Sequence, residues 1–138
     1  MQNFVLDSFA LLVFLNREVG WERVAAILKQ AQSLGQKLPM SAINWGEVLY
    51  AIWRKDGRAG VEFIENRIKN SPIEIVLPTL DHVRKAAEFK ADRVASYTDC
   101  FAAALAYERD IPVLTGDPEF EKLEGRFGIK VEWLPKNR

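Results

Sequence analysis

The stretch Phe4-Val5-Leu6-Asp7-Ser8-Phe9-Ala10-Leu11-Leu12 is an apolar run interrupted by one charged residue. Asn3 to Leu6 reads as a short β-strand and a helix starts near Phe9, so Asp7 sits at a strand-to-helix junction. The same alternation continues outward along the chain. β-like runs recur at Lys37 to Met40, Ile73 to Leu77, Pro112 to Leu114 and Ile129 to Leu134. Between them, apolar residues fall at helical spacing. Trp21, Val24, Ala25, Leu28 and Ala31 form one such set, with Gly35 at the expected C-terminal cap. Ser41 to Lys55 forms a second, and Val61, Ile64 and Ile68 a third, bounded by turns at Asp56-Gly57 and Asn70-Ser71-Pro72. Leu80, Val83, Ala87, Ala91 and Val94 follow Thr79, a plausible N-cap. Strands alternating with helices predict an α/β fold of three layers, a central, mostly parallel sheet flanked by helices.

With 138 residues, the simplest organisation is one domain over 1–138. The formal net charge is zero, which excludes a chain-wide basic footprint for nucleic acid. Local basic clusters exist at Arg54, Lys55 and Arg58, and at Arg84, Lys85, Lys90 and Arg93. For each, a solvated helix face is the plainer reading. Cys100 is the sole cysteine, which rules out an intramolecular disulfide or a cysteine zinc cluster and fits a reducing, cytoplasmic setting. His82 is the sole histidine, so paired-histidine metal chemistry is excluded. Its charged helical neighbourhood predicts a surface position. Cys100, in an apolar helix, is expected to be a packed thiol. No apolar stretch approaches the roughly 20 residues of a membrane span, and no glycine-rich phosphate loop is present.

Against this ordinary background four acids stand out: Asp7, Glu47, Asp99 and Asp117. Each has a bland explanation. Asp7, Asp99 and Asp117 can cap helices, and Glu47 lies on a polar stripe of its helix with Asn44, Ala51 and Arg54. Yet Asp7 and Asp117 each directly follow a short strand, at the carboxyl edge where open parallel sheets bind ligands. Asp99 heads the Ala-rich run Cys100 to Ala106, and a carboxylate is favoured in a helix's first turn. Were the four to face one cleft about 5 Å apart, each adjacent pair would repel by about 3 kcal/mol at an effective dielectric near 20. Such a cluster must take up protons or a divalent cation. Oxygen-only ligands favour a hard ion, Mg²⁺ or Mn²⁺. That chemistry suits phosphodiester cleavage.

The motifs Val5-Leu6-Asp7-Ser8, Asn44-x-x-Glu47, Thr98-Asp99 before an Ala-rich helix, and Leu114-Thr115-x-Asp117-x-x-Phe120 occur in order. Together they resemble a PIN domain, and the length is similar to that of stand-alone VapC-type toxins of toxin–antitoxin pairs. The resemblance spans essentially the whole chain. It implies a PIN-like α/β/α fold and a Mg²⁺- or Mn²⁺-dependent endoribonuclease, with Asp7, Glu47, Asp99 and Asp117 as catalytic and metal-binding residues. Ser8 and Thr115 match small hydroxyl positions that orient carboxylates or metal waters, and Asn44 matches a polar residue one turn before the glutamate. Gly116 departs from the pattern, standing where relatives often carry a polar residue. The resemblance further implies an RNA substrate, cut to leave 3′-hydroxyl and 5′-phosphate ends, a small antitoxin partner and a homodimer. The large apolar residues of Trp45 to Trp53 are compatible with an interface. Two other readings stand beside it. One is a PIN-like RNA-binding or interaction module without catalysis. The other is an unrelated acidic-site phosphohydrolase, for which the expected Asp-x-Asp after the first strand is missing.

Overall fold

The computed structural model describes residues 3–136. Its elements run β1 (Val5–Leu6), α1 (Ser8–Leu15), α2 (Trp21–Ser33), β2 (Leu38–Ser41), α3 (Ala42–Lys69), β3 (Ile73–Val76), α4 (Leu80–Ala91), α5 (Tyr97–Arg109), β4 (Val113–Thr115), α6 (Phe120–Phe127) and β5 (Val131–Trp133). Every expected strand is present: β1, β3 and β5 are shorter than expected by one to three residues, and β2 and β4 are shifted by one residue toward the C-terminus. The strand pairings are parallel, as the alternation requires. Val5 and Leu6 lie opposite Val113 and Leu114, β4 pairs with β5, and β2 pairs with β3. β1 and β2 run side by side without a hydrogen-bonded ladder, bridged by Asn3 Nδ2 to the Lys37 carbonyl at 3.3 Å. The spatial order is therefore β3-β2-β1-β4-β5, with the hydrogen bonding divided between a three-stranded and a two-stranded unit.

Period-two alternation divides the core between the two faces of the sheet. Val5 and Val113 face Phe89, Phe101, Leu105, Phe120 and Leu123. Leu6 and Leu114 face Leu11, Val24, Met40 and Val48. α5 is buried on all sides from Asp99 to Ala106, and its alanines let it pass close to its neighbours. Gly57, at φ 68°, joins the two helical segments within α3 at a kink, as its position between two apolar repeats suggests. No helix among the described residues is long and apolar enough to cross a membrane.

Two expectations fail in α4. Its buried face is His82, Ala86 and Phe89 rather than the Leu80–Val83–Ala87 stripe. Leu80 is 87% exposed. His82 is buried, not superficial, because it closes a capping box. Its Nδ1 accepts from the Thr79 N–H at 3.1 Å, while its own N–H donates to Thr79 Oγ1 at 3.1 Å. Its Nε2 lies 2.9 Å from Glu108 Oε1. That cap fixes the helix's rotation, and the large Phe89 ring follows His82 inward two turns later. Phe89 is 1% exposed, so Phe89→Ala should cost about 3–5 kcal/mol, a large share of a typical domain's stability. Urea unfolding monitored by circular dichroism would register it as a drop in midpoint, with the slope unchanged.

Candidate metal centre

The carboxyl edge of the sheet gathers four helix starts and, with them, the four acids. The β1–β4 register sets Asp7 beside Thr115, the residue after each strand's last matched pair. Asp7 is fully buried and is the N-cap of α1, with Oδ1 accepting from the Ala10 N–H at 2.8 Å. The bland explanation of this residue is thus correct, and it accounts for only one oxygen. Oδ2 is buried with no hydrogen-bond partner. Burial first, and then the charges of Asp117 and Glu47, push its carboxyl up to about 7, against the opposing hydrogen bonds from Thr115 and Ala10.

Asp99 lies in the first turn of α5 and is 5% exposed. It does not cap the helix; Ser96 does, accepting from the Asp99 N–H at 3.2 Å. Relieved of that role, the Asp99 side chain turns to the acidic cluster, and its Oδ2 is likewise buried and unpartnered. Its carboxyl is raised to about 9 by desolvation, then by the charge of Asp117, a hydrogen bond to Glu119 and the charge of Asp7. Asp117 does cap, as expected, but a turn rather than a helix beginning at Pro118. Its Oδ1 accepts from the Glu119 N–H at 3.0 Å, and α6 begins only at Phe120. Glu47, half-buried on α3, adds its charge to that of Asp117 at Asp7. Asp7, Asp99 and Asp117 therefore act on one another, and Glu47 is linked to them through its charge at Asp7.

A fifth acid joins them. Carboxylate oxygens of Asp99, Asp117 and Glu119 lie within 4.8 Å of one another. Sequence reasoning missed Glu119 because an exposed acid beside a helix start reads as solvated. The available signal was its spacing: two residues after an Asp that accepts the Glu119 N–H, it is folded back toward that Asp.

The supporting polar residues divide their work. Thr115 Oγ1 accepts from the Asp117 N–H at 3.0 Å, and the same hydroxyl lowers the titration of the neighbouring Asp7 carboxyl. It thus orients the Asp117 backbone and eases the charge of Asp7. Ser8 touches no carboxylate. Its Oγ donates to the Asn44 carbonyl at 3.1 Å and accepts from Asn44 Nδ2 at 3.2 Å. Asn44 Nδ2 also reaches the Thr98 carbonyl at 3.4 Å, so this pair ties α1, α3 and the start of α5 together. Asn44 Oδ1 is buried and unpartnered. Cys100 is the packed thiol expected, its titration pushed up to about 11 by burial and then by Asp99.

Unpartnered buried oxygens on Asp7 and Asp99, with Asp117 and Glu119 alongside, suit a hard divalent cation. Without one, burial and mutual repulsion favour the protonated forms of Asp7 and Asp99. The sequence's basic clusters are mostly committed elsewhere. Lys55 donates to Asn16, Arg58 pairs with Glu62, Lys85 with Glu88, and Lys90 donates to the Ala95 carbonyl. They behave as solvated helix faces.

Comparison with known proteins agrees with this geometry. The family model for the PIN domain matches residues 4–126. Among solved structures, the chain is similar to DNA-bound VapBC from Salmonella typhimurium, with 19% identity and a TM-score of 0.73 over 96% of this chain and 98% of that one. VapBC2 from Rickettsia felis bound to a promoter DNA fragment gives 13% identity and a TM-score of 0.71, covering 97% and 100%. VapBC-1 from nontypeable Haemophilus influenzae gives 17% and 0.68, covering 96% and 98%. At these identities the likeness speaks for the fold. Comparison with curated protein sequences gives no match.

Proposed function

Since the chain belongs to the PIN domain family, we propose that it is a divalent-metal-dependent endoribonuclease and the toxin of a VapBC-type pair. The observation that supports this reading is the gathering of Asp99, Asp117 and Glu119 beside Asp7, with buried oxygens on Asp7 and Asp99 lacking any partner and the charge of Glu47 felt at Asp7. Asp7, Asp99 and Asp117 would hold a Mg²⁺ or Mn²⁺ ion, with Glu47 and Glu119 completing its surroundings directly or through water. When bound, the ion lowers the pKa of a water and neutralises charge developing at phosphorus. The chain's own part is orientation. Thr115 holds Asp117, the Ala10 N–H holds Asp7, the Ser8–Asn44 pair fixes the helices that carry Asp7, Glu47 and Asp99, and burial keeps the carboxyls desolvated. A phosphate could not approach this cluster while it is uncompensated, so RNA binding and metal binding should be coupled.

The test is matched expression of the wild-type chain and Asp7→Asn in a growing bacterium. The wild type should arrest growth and produce discrete RNA cuts, and the variant neither. Two soluble proteins that both leave growth and RNA intact would favour a PIN-like module without catalysis.

The solved neighbours are toxin–antitoxin complexes, which supports a small antitoxin as partner of this chain too. An apolar groove between α1, α2 and the second half of α3, lined by Leu11, Phe14, Leu28, Phe63 and Ile68, offers it a surface. A homodimer is supported by α3, where Ile43, Tyr50 and Trp53 are 37%, 55% and 54% exposed. Trp53→Glu should therefore convert a dimer to a monomer in analytical ultracentrifugation. A wild-type protein that sediments as a monomer at tens of micromolar would remove the dimer.

A further inference from the structure

Phe9 is an apolar residue two positions after Asp7, yet 38% of its surface is exposed. Its ring is nonetheless held closely. A β-carbon on Gly116 would stand 2.6 Å from Phe9 Cε1, 3.1 Å from Cζ and 3.3 Å from Cδ1. The ring edge thus lies directly on the Gly116 backbone, in space that any side chain there would fill. Gly116 sits between Thr115, whose hydroxyl accepts from the Asp117 N–H, and Asp117 itself. The fold therefore pins an aromatic ring at the rim of the acidic cluster with over a third of its surface open. A core phenylalanine would be hidden, and a freely solvated one would need no glycine beneath it. The departure at Gly116 noted in the sequence has this physical consequence.

We propose that Phe9 is the stacking surface for a nucleobase next to the scissile phosphate. This rests on the ribonuclease reading above. A cation in the cluster would hold the scissile phosphate, while the base beside it would still need a surface, which an exposed ring at the rim supplies. An aromatic face provides that for any base.

The experiment measures kcat and KM for a short RNA oligonucleotide with Mn²⁺, using wild type, Phe9→Leu and Phe9→Tyr, with the cut position mapped first. Phe9→Leu should raise KM roughly five- to hundredfold, the span that loss of one stacked base implies, with kcat changed far less. Phe9→Tyr should restore KM. On the wild-type protein, an abasic nucleotide scanned across the cut site should produce the same loss at one flanking position, and Phe9→Leu should suffer no further loss there. An unchanged KM in Phe9→Leu, or an abasic penalty equal in both proteins, would overturn the assignment and give the ring to a protein contact. Absence of RNA cleavage by the wild type would instead defeat the underlying nuclease reading, and this one with it.

Discussion

Asp7→Asn should abolish metal-dependent RNA cleavage while leaving the protein folded and, without metal, more stable. Three observations combine here. Asn caps helices about as well as Asp, so the bond from the Ala10 N–H to Oδ1 survives. The unpartnered Oδ2 becomes an amide that carries no charge and is a poor ligand for a hard cation. Removing a residue that merely supports a metal ligand typically costs 10–100-fold in affinity or activity, so removing a ligand should cost more than about a hundredfold. Stability should move the other way. With its carboxyl raised from 3.8 to about 7, Asp7 is penalised when ionised inside the fold, at about 1.4 kcal/mol per unit. Above pH 7 the neutral amide escapes a penalty on the order of a few kcal/mol. For a chain of this size each kcal/mol is worth about 3–4 °C, so the metal-free variant should melt several degrees higher. Loss of activity with loss of stability would mean that Asp7 is a structural cap and nothing more.

The metal-free protein should lose stability as pH rises, and divalent metal should restore it most at high pH. Asp7 and Asp99 both have carboxyls raised above the ordinary 3.8, to about 7 and about 9, chiefly by burial. Between the unfolded and folded values the native state holds a proton that the unfolded chain has released. Stability therefore falls with rising pH. Asp7 contributes this slope from about pH 4 to 7, and Asp99 from about pH 4 to 9, each by at most about 1.4 kcal/mol per pH unit. A cation binds the ionised carboxylates and displaces those protons, so its affinity rises through the same window. Thermal melts in chelator and in millimolar Mn²⁺ from pH 5.5 to 8.5 would measure both effects. The chelator series should fall, and the gap between the two series should widen. A gap constant with pH would mean that the ion binds somewhere other than these two carboxyls.

Much of this architecture could be read along the chain because its local signals agree. The strand-to-helix junction at Asp7 places the acid at the sheet's edge by itself, and Gly35 and Thr79 mark helix ends by conformational need. Asp7 and Asp117 converge because each follows a strand ending at that edge, and Asp99 joins them from the first turn of α5. Asp7 and Asp117 show why a capping role did not argue against a site: a carboxylate has two oxygens, and the cap uses one. Other features depend on tertiary geometry. Both Leu80 and His82 occupy helical spacings compatible with burial, and only the Thr79–His82 cap, together with Phe89, decides between them. Glu119 becomes part of the cluster through a turn, which leaves no periodic signal. Whether Phe9 is covered depends on a backbone 107 residues away that happens to be glycine.

The most direct test of the central claim is the cleavage of a 5′-labelled single-stranded RNA by chelator-treated protein as Mn²⁺ is added back, with the product ends identified. The account requires no cleavage before addition, a saturable rise with Mn²⁺, and 5′-phosphate and 3′-hydroxyl ends. Cleavage that persists in chelator, or products ending in 2′,3′-cyclic phosphate, would contradict it, because the attacking oxygen would then come from the RNA and the acids would hold no catalytic metal.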